Sequence, residues 1–453
     1  MKRSSKVLVS VLVVAACVFT VSALLQREPA VRDVYRPADL TEAASLAQRR
    51  EMQRAALDRS AVFHAFSFTD RLPESGIRFT HKMVDDGGKA YKMIHYDHGN
   101  GLAAADVDGD GRVDLYFVNQ VGANGLWRNL GGGRFEDVTQ AAGVGLADVV
   151  STSASFADVD NDGDPDLYVT TIRFGNRLFE NDGTGRFTDI TEAAGVGFAG
   201  HSSGAVFFDY DRDGLLDLFL TNVGQFTTGE LAPVRGRTRF EDRAGEYFYY
   251  VGYADSTMGS SIPERDEPNV LYRNTGGNRF VDVTEDVGLF NRGWSGDATA
   301  VDVNEDGWMD LYVLNMQGDD EYFENQGGER FVWKTADVFP RTPYGAMGVK
   351  VLDYNNDGRL DLYLTDMHSD MWETNRHISP VREKKKPQST VPLVHHGATG
   401  TGVNLNGNAL FRKEADGTFN DVAPVTGTET YWPWGVSAGD LNADGYEDLF
   451  VTG

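Results

Sequence analysis

The residues best placed to do chemistry are aspartates at a fixed spacing. Six times the chain repeats Asp-x-Asp/Asn-x-Asp-Gly-x-x-Asp. Positions 1, 3, 5 and 9 are Asp106, Asp108, Asp110 and Asp114 in the first copy, then Asp158, Asp160, Asp162 and Asp166, and Asp209, Asp211, Asp213 and Asp217. The later copies carry Asn at position 3: Asp302, Asn304, Asp306 and Asp310; Asp353, Asn355, Asp357 and Asp361; Asp440, Asn442, Asp444 and Asp448. Position 7 (Arg112, Asp164, Leu215, Trp308, Arg359 and Tyr446) would contribute its backbone carbonyl. Oxygen ligands on this spacing make the cage that hard Ca²⁺ favours, and glycine at position 6 supplies the turn that points them inward. About six Ca²⁺ ions are expected as cofactor.

An EF-hand would need a bidentate Glu at position 12 and a helix on each side. Position 12 is instead Phe117, Val169, Leu220, Val313, Leu364 or Val451. Runs such as Leu-Tyr-Phe-Val after position 9 are β-branched and aromatic, so each loop joins two strands.

Asp106 and Asp158 are 52 residues apart, and Asp158 and Asp209 are 51 apart, so each loop belongs to a repeated unit. Each unit has a second signature, Asn124-Gly-Leu-Trp-Arg-Asn129 followed by Gly133-Arg-Phe-Glu-Asp-Val-Thr139 and Ala142-Gly-Val144. It returns at Asn176 to Val196 and Asn269 to Leu289, and more loosely at Asp320 to Phe331 and Asn408 to Gly427. Four short strands per fifty-residue period predict an all-β propeller of four-stranded blades. Small residues before each loop (Ala103 to Ala105, Ser153 to Ser155, Ser203 to Ala205, Ala298 to Ala300) suit innermost strands around a central channel.

These paired motifs resemble the FG-GAP or VCBS repeats of integrin-α-type β-propellers, and specifically bacterial relatives of the cartilage acidic protein family. The resemblance covers about Phe66 to Gly453 and implies an extracytoplasmic calcium-binding propeller, commonly seven-bladed, used in binding or adhesion. Only six calcium loops are present, and the last unit stops in mid-blade, which reads as six to seven blades with a truncated last one. Phe68 to Ile77 matches the outer-strand end Phe135 to Val144, so this early segment is expected to complete the blade begun at Asp440.

Three segments are expected: residues 1–27 as a signal peptide or signal anchor, 28–62 as a helical stalk, and 63–453 as the propeller. Lys2, Arg3 and Lys6 precede the apolar run Val7 to Leu25. That run fits an uncleaved anchor, a signal cleaved after Val21-Ser-Ala23, or a lipoprotein box at Cys17; each exports the propeller to the periplasm or beyond. Cys17 is the only cysteine, so no disulfide framework exists. Asp39 to Ala61 carries a helical pattern with a capping box at Asp39 to Glu42, readable as a stalk or as a partner-binding coiled coil. The net charge of −26 is largely the ligand inventory; it argues against nucleic acid, and against membrane contact other than through the N-terminal segment.

Two insertions, 225–268 and 366–407, follow second strands and so share the face opposite the calcium loops. The first holds Glu246-Tyr-Phe-Tyr-Tyr-Val-Gly-Tyr253, which either packs the insertion down or displays an aromatic surface. The second holds His368, His377, His395, His396 and Lys384 to Lys386, a solvated loop or a metal site without a compact motif. Trp432-Pro-Trp434 reads as blade packing or a ligand shelf. No elbow, zinc-helix or phosphate-loop motif appears. The expected function is therefore a non-enzymatic binding or adhesion module for a protein or glycan partner. A calcium-dependent polysaccharide lyase or hydrolase is the alternative.

Overall fold

The computed structural model describes residues 67–84, 101–234, 247–253, 265–291, 293–316, 319–339, 341–343, 345–367, 403–405, 407–430 and 433–452. The export segment, the stalk helix, Glu246, Trp432, and the histidines and lysines of the second insertion lie outside them.

Five antiparallel sheets of four strands follow one another, each in simple sequential order. Blade 1 is built from Leu102–Ala105, Asp114–Phe117, Gly125–Gly131 and Arg134–Asp137. Blade 2 comprises Ser151–Ala157, Asp166–Thr171, Arg177–Asn181 and Phe187–Asp189. Blade 3 uses Ser202–Phe208, Asp217–Asn222, Val270–Asn274 and Phe280–Asp282. Blade 4 has Ser295–Val301, Asp310–Asn315, Glu321–Asn325 and Phe331–Trp333. Blade 5 is formed by Ala346–Leu352, Asp361–Asp366, Ala409–Lys413 and Phe419–Asp421. A sixth sheet contains two described strands, Val436–Gly439 and Asp448–Val451. This is the β-propeller that the repeat predicts.

Second strands are buried along their whole length in blades 2 to 5, because neighbouring blades cover both of their faces. The core is therefore a series of inter-blade layers. Tyr116, Leu126, Leu167 and Phe179 fill the layer between blades 1 and 2, and Tyr312, Tyr322, Leu362 and Phe411 the layer between blades 4 and 5. The tyrosine of the Asp-Leu-Tyr run is wholly buried in four blades, and its hydroxyl finds a partner in each. Tyr116 donates to the Val144 carbonyl (2.7 Å), Tyr168 to that of Val196 (2.8 Å) and Tyr363 to that of Thr428 (2.6 Å), whereas Tyr312 reaches the Asp320 carboxylate (3.2 Å).

The Asp-Val/Ile-Thr signature closes blades 1 to 3, while of its aspartate and threonine blade 4 keeps only Thr335 and blade 5 only Asp421. The Thr139 hydroxyl accepts the Leu126 N–H (2.8 Å), while Asp137 accepts the N–H of Thr139 (2.9 Å) and starts a one-turn helix. That helix ends at Gly143 in the left-handed region (φ 81°), facing the Phe187 carbonyl in the outer strand of the next blade.

The early segment repeats this arrangement. Leu72–Ser75 is a one-turn helix ended by left-handed Gly76 (φ 87°), where a Cβ would sit 2.6 Å from the Phe135 carbonyl oxygen of blade 1. Residues 72–76 thus occupy the place of a blade preceding blade 1. Phe68 meets Phe450 of the sixth sheet edge-on, with ring centroids 6.1 Å apart, so this segment and the last strands lie together.

Both insertions connect second to third strands, in blades 3 and 5. From the first, Thr227–Pro233 pairs with Phe248–Gly252 as an antiparallel hairpin. It rests on an apolar cluster gathered from the loop-opposite end of several blades, including Val121, Ile172, Val223, Met316 and Met367. From the second, Val403–Leu405 pairs in parallel with Arg341–Pro343.

Candidate metal centres

All six loops share one hydrogen-bond plan. In blade 2, the position-1 carboxylate of Asp158 accepts the N–H groups of Asp162 (3.1 Å) and Gly163 (3.0 Å). Asp162 accepts the N–H of Asp164 (3.0 Å). The same bonds recur from Asp106, Asp209, Asp302, Asp353 and Asp440. Position 6 is left-handed in every loop, with φ between 82° at Gly111 and 98° at Gly163, as the turn requires.

Position 9 is anchored differently. Asp166 is 2 % exposed, and its two oxygens accept the N–H of Val159 (3.0 Å) and of Asn181 (2.8 Å). Asp114, Asp217 and Asp310 hold the same pair of amides, and the last also receives the Tyr322 hydroxyl (2.8 Å). This carboxylate therefore ties the loop to the end of the third strand as well as facing the loop interior. Burial, reinforced by the other loop carboxylates, pushes Asp166 and Asp217 up to about 7 and Asp310 and Asp361 up to about 6, despite the amide donors; Asp114 is raised too.

In blades 1 to 3 the structure brings positions 1, 3 and 9 together. Oxygens of Asp106, Asp108 and Asp114 lie within 4.8 Å of one another, as do those of Asp158, Asp160 and Asp166, and of Asp209, Asp211 and Asp217. Asp108 Oδ1 is buried without a hydrogen-bond partner. Three carboxylates converging to within 4.8 Å, in blade 1 with an orphaned oxygen among them, fit a hard divalent cation. Position 5 is outside these triads; Asp110 and Asp357 bind the guanidinium groups of Arg112 and Arg359. In the last three loops, asparagine at position 3 leaves a neutral oxygen in the corresponding place, accepting the N–H of Asp306, Asp357 or Asp444.

Two features of the loops are not signalled by ligand spacing. Position 4 is also left-handed, and outside blade 1 it is not glycine: Asn161, Arg212, Glu305, Asn356 and Ala443 have φ of 56–61°. The two asparagines of the Asn-x-Leu-x-x-Asn signature hold neighbouring blades together. The first, on the insertion side, reaches forward: Asn124 Nδ2 donates to Ser151 Oγ, Asn176 to Ser202 and Asn269 to Ser295 (2.8–3.1 Å). The second, on the loop side, reaches back to the position-2 carbonyl of the preceding loop: Asn181 to Val107, Asn274 to Val159 and Asn325 to Tyr210 (2.7–2.9 Å). Blade 5 has Lys413 at this place, its buried ammonium paired with Glu305 of the preceding loop (2.5 Å). The recurring asparagines were visible in sequence; their inter-blade reach was not.

On the opposite face, most of the aromatic run packs inward. Tyr247 and Tyr249 lie on the apolar cluster, Tyr250 meets Phe174 and the Arg173 guanidinium, and Arg265 stacks on Tyr253 at 3.6 Å. Phe248 and Leu231 of the hairpin stay exposed (48 % and 47 %). At the hairpin base, His201 Nδ1 lies 3.0 Å from Glu267 and its Nε2 2.7 Å from the Thr227 hydroxyl. The order of groups is that of a nucleophile, a base and an orienting acid, but Thr227 and His201 are fully buried, so the trio clasps the hairpin rather than meeting a substrate.

An array of four-stranded blades with an Asp-rich first-to-second connection defines a β-propeller with acidic loops able to hold metal ions. The family model of the FG-GAP-like repeat matches residues 106–169, 171–220, 302–364 and 399–451, a little over half of the chain. The chain belongs to the FG-GAP-like repeat family. It is 23% identical over 399 residues to cartilage acidic protein 1 of Xenopus tropicalis, covering 62% of this chain and 59% of that protein. It is 26% identical over 350 residues to the Mus musculus protein of the same name, covering 66% and 52%. The chain thus spans between about half and three-fifths of these relatives' length. Among solved structures it is similar to an Agrocybe aegerita lectin that recognises non-reducing terminal N-acetylglucosamine (TM-score 0.40, 16% identity, 77% and 73% of the two chains). Another is the rhamnogalacturonan lyase YesW (TM-score 0.37, 11% identity, 79% and 55%).

Proposed function

We propose that this chain is an exported binding or adhesion module, a propeller whose loops bind Ca²⁺ and whose opposite face engages a protein or glycan partner. The carboxylate triads on the loop face carry the calcium reading. Positions 1, 3 and 9 would hold the ion, with positions 5 and 7 completing an oxygen cage, and its role there is structural: it neutralises acidic turns at strand junctions. Cages of this sort suit the millimolar calcium found outside the cytoplasm, which supports export. Among the described residues, no helix is long and apolar enough to cross a membrane.

The observation that supports the working face is the hairpin of the first insertion. A rigid scaffold holds it opposite the calcium loops, with Phe248 and Leu231 turned out to solvent. Deleting the whole insertion would strip Tyr247 and Tyr249 from the cluster beneath, so the informative variant is Phe248→Ala with Leu231→Ala. Partners would be captured on the purified propeller in 2 mM Ca²⁺ from extracellular protein and on a glycan array. The double variant should lose binding with calcium content and melting temperature unchanged. Unaltered binding, or loss instead on charge reversal at Arg112 and Arg359 of the loop face, would overturn the assignment.

A further inference from the structure

The central channel contains a charged position that the metal loops and the hairpin face leave unexplained. The residues following the bulges of the first strands form one ring around it. Asp297 stands opposite Leu314, Ser153 opposite Thr170, Gly204 opposite Thr221 and Gly348 opposite Thr365. Gly101 and Gly435 occupy the matching places in blades 1 and 6. Five of the six positions carry no side chain or only a hydroxymethyl, which leaves a cavity of about 510 Å³; the sixth carries a carboxylate.

One oxygen of Asp297 accepts the N–H of Ala298 (2.9 Å). No ion pair forms with its carboxylate among the described residues, Lys350 on the next blade included. None of the cavity-lining residues is cationic. Burial pushes this carboxyl up to about 6, so a cation beside it would recover interaction that burial has removed. The lining also includes Trp434 and, at the margin of the apolar cluster beneath the hairpin, Val223, Met316 and Met347, residues suited to alkyl and aromatic groups and to the soft face of an ammonium.

The surroundings narrow the ligand class. A hard divalent ion wants six to eight oxygens. Here the lining offers a single carboxylate; its other side-chain oxygens are neutral hydroxyls, among which Ser155 and Ser203 are oriented by donating to the Ala205 and Ser295 carbonyls (2.8 and 2.7 Å). An anion would be repelled by the carboxylate, whose burial the Lys350 charge offsets only in part. We propose that the channel binds a small organic monocation, its ammonium against Asp297 and its apolar part against Met316, Met347 and Trp434. This goes beyond the proposed partner face and does not depend on it.

Calorimetric titration of the calcium-loaded protein with choline and with benzylamine tests it, beside their neutral counterparts 3,3-dimethylbutan-1-ol and benzyl alcohol. At least one amine should bind at a stoichiometry of one, with its alcohol about tenfold weaker or more. Asp297→Asn, with calcium content and melting temperature unchanged, should weaken the amine by the same factor, as loss of a charge-assisted contact requires. If neither amine binds, if the alcohols bind equally well, or if Asp297→Asn leaves amine affinity intact, the proposal fails. The neutral counterparts on the unmodified protein keep the test decisive should the variant fold poorly.

Discussion

Replacing Asp166 with Asn separates the two roles of a position-9 carboxylate. The aspartate accepts two backbone N–H groups, from Val159 and Asn181, with both oxygens. An asparagine can accept only one, so one buried amide is left without a partner at a cost of about 1–3 kcal/mol. Against this, the substitution removes a carboxylate that burial and neighbouring loop acids hold up to about 7, a relief that offsets the lost bond when no ion is present. In EDTA, then, the variant should unfold within about 2 kcal/mol of the parent. With calcium the balance changes. A site of about 10⁻⁴ M affinity stabilises the folded state by RT ln(1 + [L]/Kd), roughly 1.4 kcal/mol at 1 mM and roughly 2.7 kcal/mol at 10 mM. The variant should forgo that increment, so the gap between the two proteins widens with calcium concentration. Denaturant unfolding in EDTA and in 1 and 10 mM Ca²⁺ measures it. A gap that stays constant across the series would show that Asp166 serves only the backbone and that the loop is not a calcium site.

Other consequences can be checked alongside it. Gly163→Val should cost about 1–2 kcal/mol and its calcium site, because φ is +98° although no atom lies within 4 Å of a built Cβ; Asp164→Ala should keep the site, and calorimetric stoichiometry that shows the reverse would refute the ligand assignment. Ala443→Gly relieves a left-handed alanine at φ 59° and should raise stability by about 0.5–1 kcal/mol in a thermal melt. Glu321, raised to about 8 by burial and by Asp319, contributes stability that is full below its ordinary range and is lost as pH rises through about 8. Glu321→Gln should therefore match the parent near pH 4, gain on it between pH 5 and 8, and outlast it at pH 8 and above; melting curves with the opposite order would contradict the shift. Removing calcium altogether should lower the melting temperature sharply, and coincident curves in EDTA and 2 mM Ca²⁺ would discount a structural ion.

Period and composition were enough to read the blades, the loops and the placement of both insertions, because each rests on local chemistry. A glycine turn, a strand-forming run and an Asp-Val-Thr closure act within a few residues of themselves. What escaped were relations between units. Asn181 and Asn274 look like ordinary turn residues until the neighbouring carbonyls of Val107 and Val159 are in place. The left-handed position 4 was hidden because Arg212 and Glu305 are not residues that advertise that conformation, and the loop bonds on either side impose it. The run from Tyr247 to Tyr253 had two readings open, and sequence alone could not choose. The cluster under the hairpin is drawn from several blades far apart in the chain, so its claim on Tyr247 and Tyr249 has no local signature.

The backward grip of blades 2 to 5 on the loop before each bears on how such a ring can change its size. Where asparagine meets a main-chain carbonyl, as at Asn181, Asn274 and Asn325, the contact asks nothing of the neighbour's side chain. A duplicated blade set between two such units would find the same handhold and offer the same one. Gene duplication can therefore lengthen this part of the ring without a compensating substitution. The junction of blades 4 and 5 is keyed instead by a specific charge pair, Lys413 to Glu305. A copy inserted there would leave a buried ammonium without its acid unless both partners were copied together. That seam fixes the order of its two blades, while the earlier ones remain interchangeable.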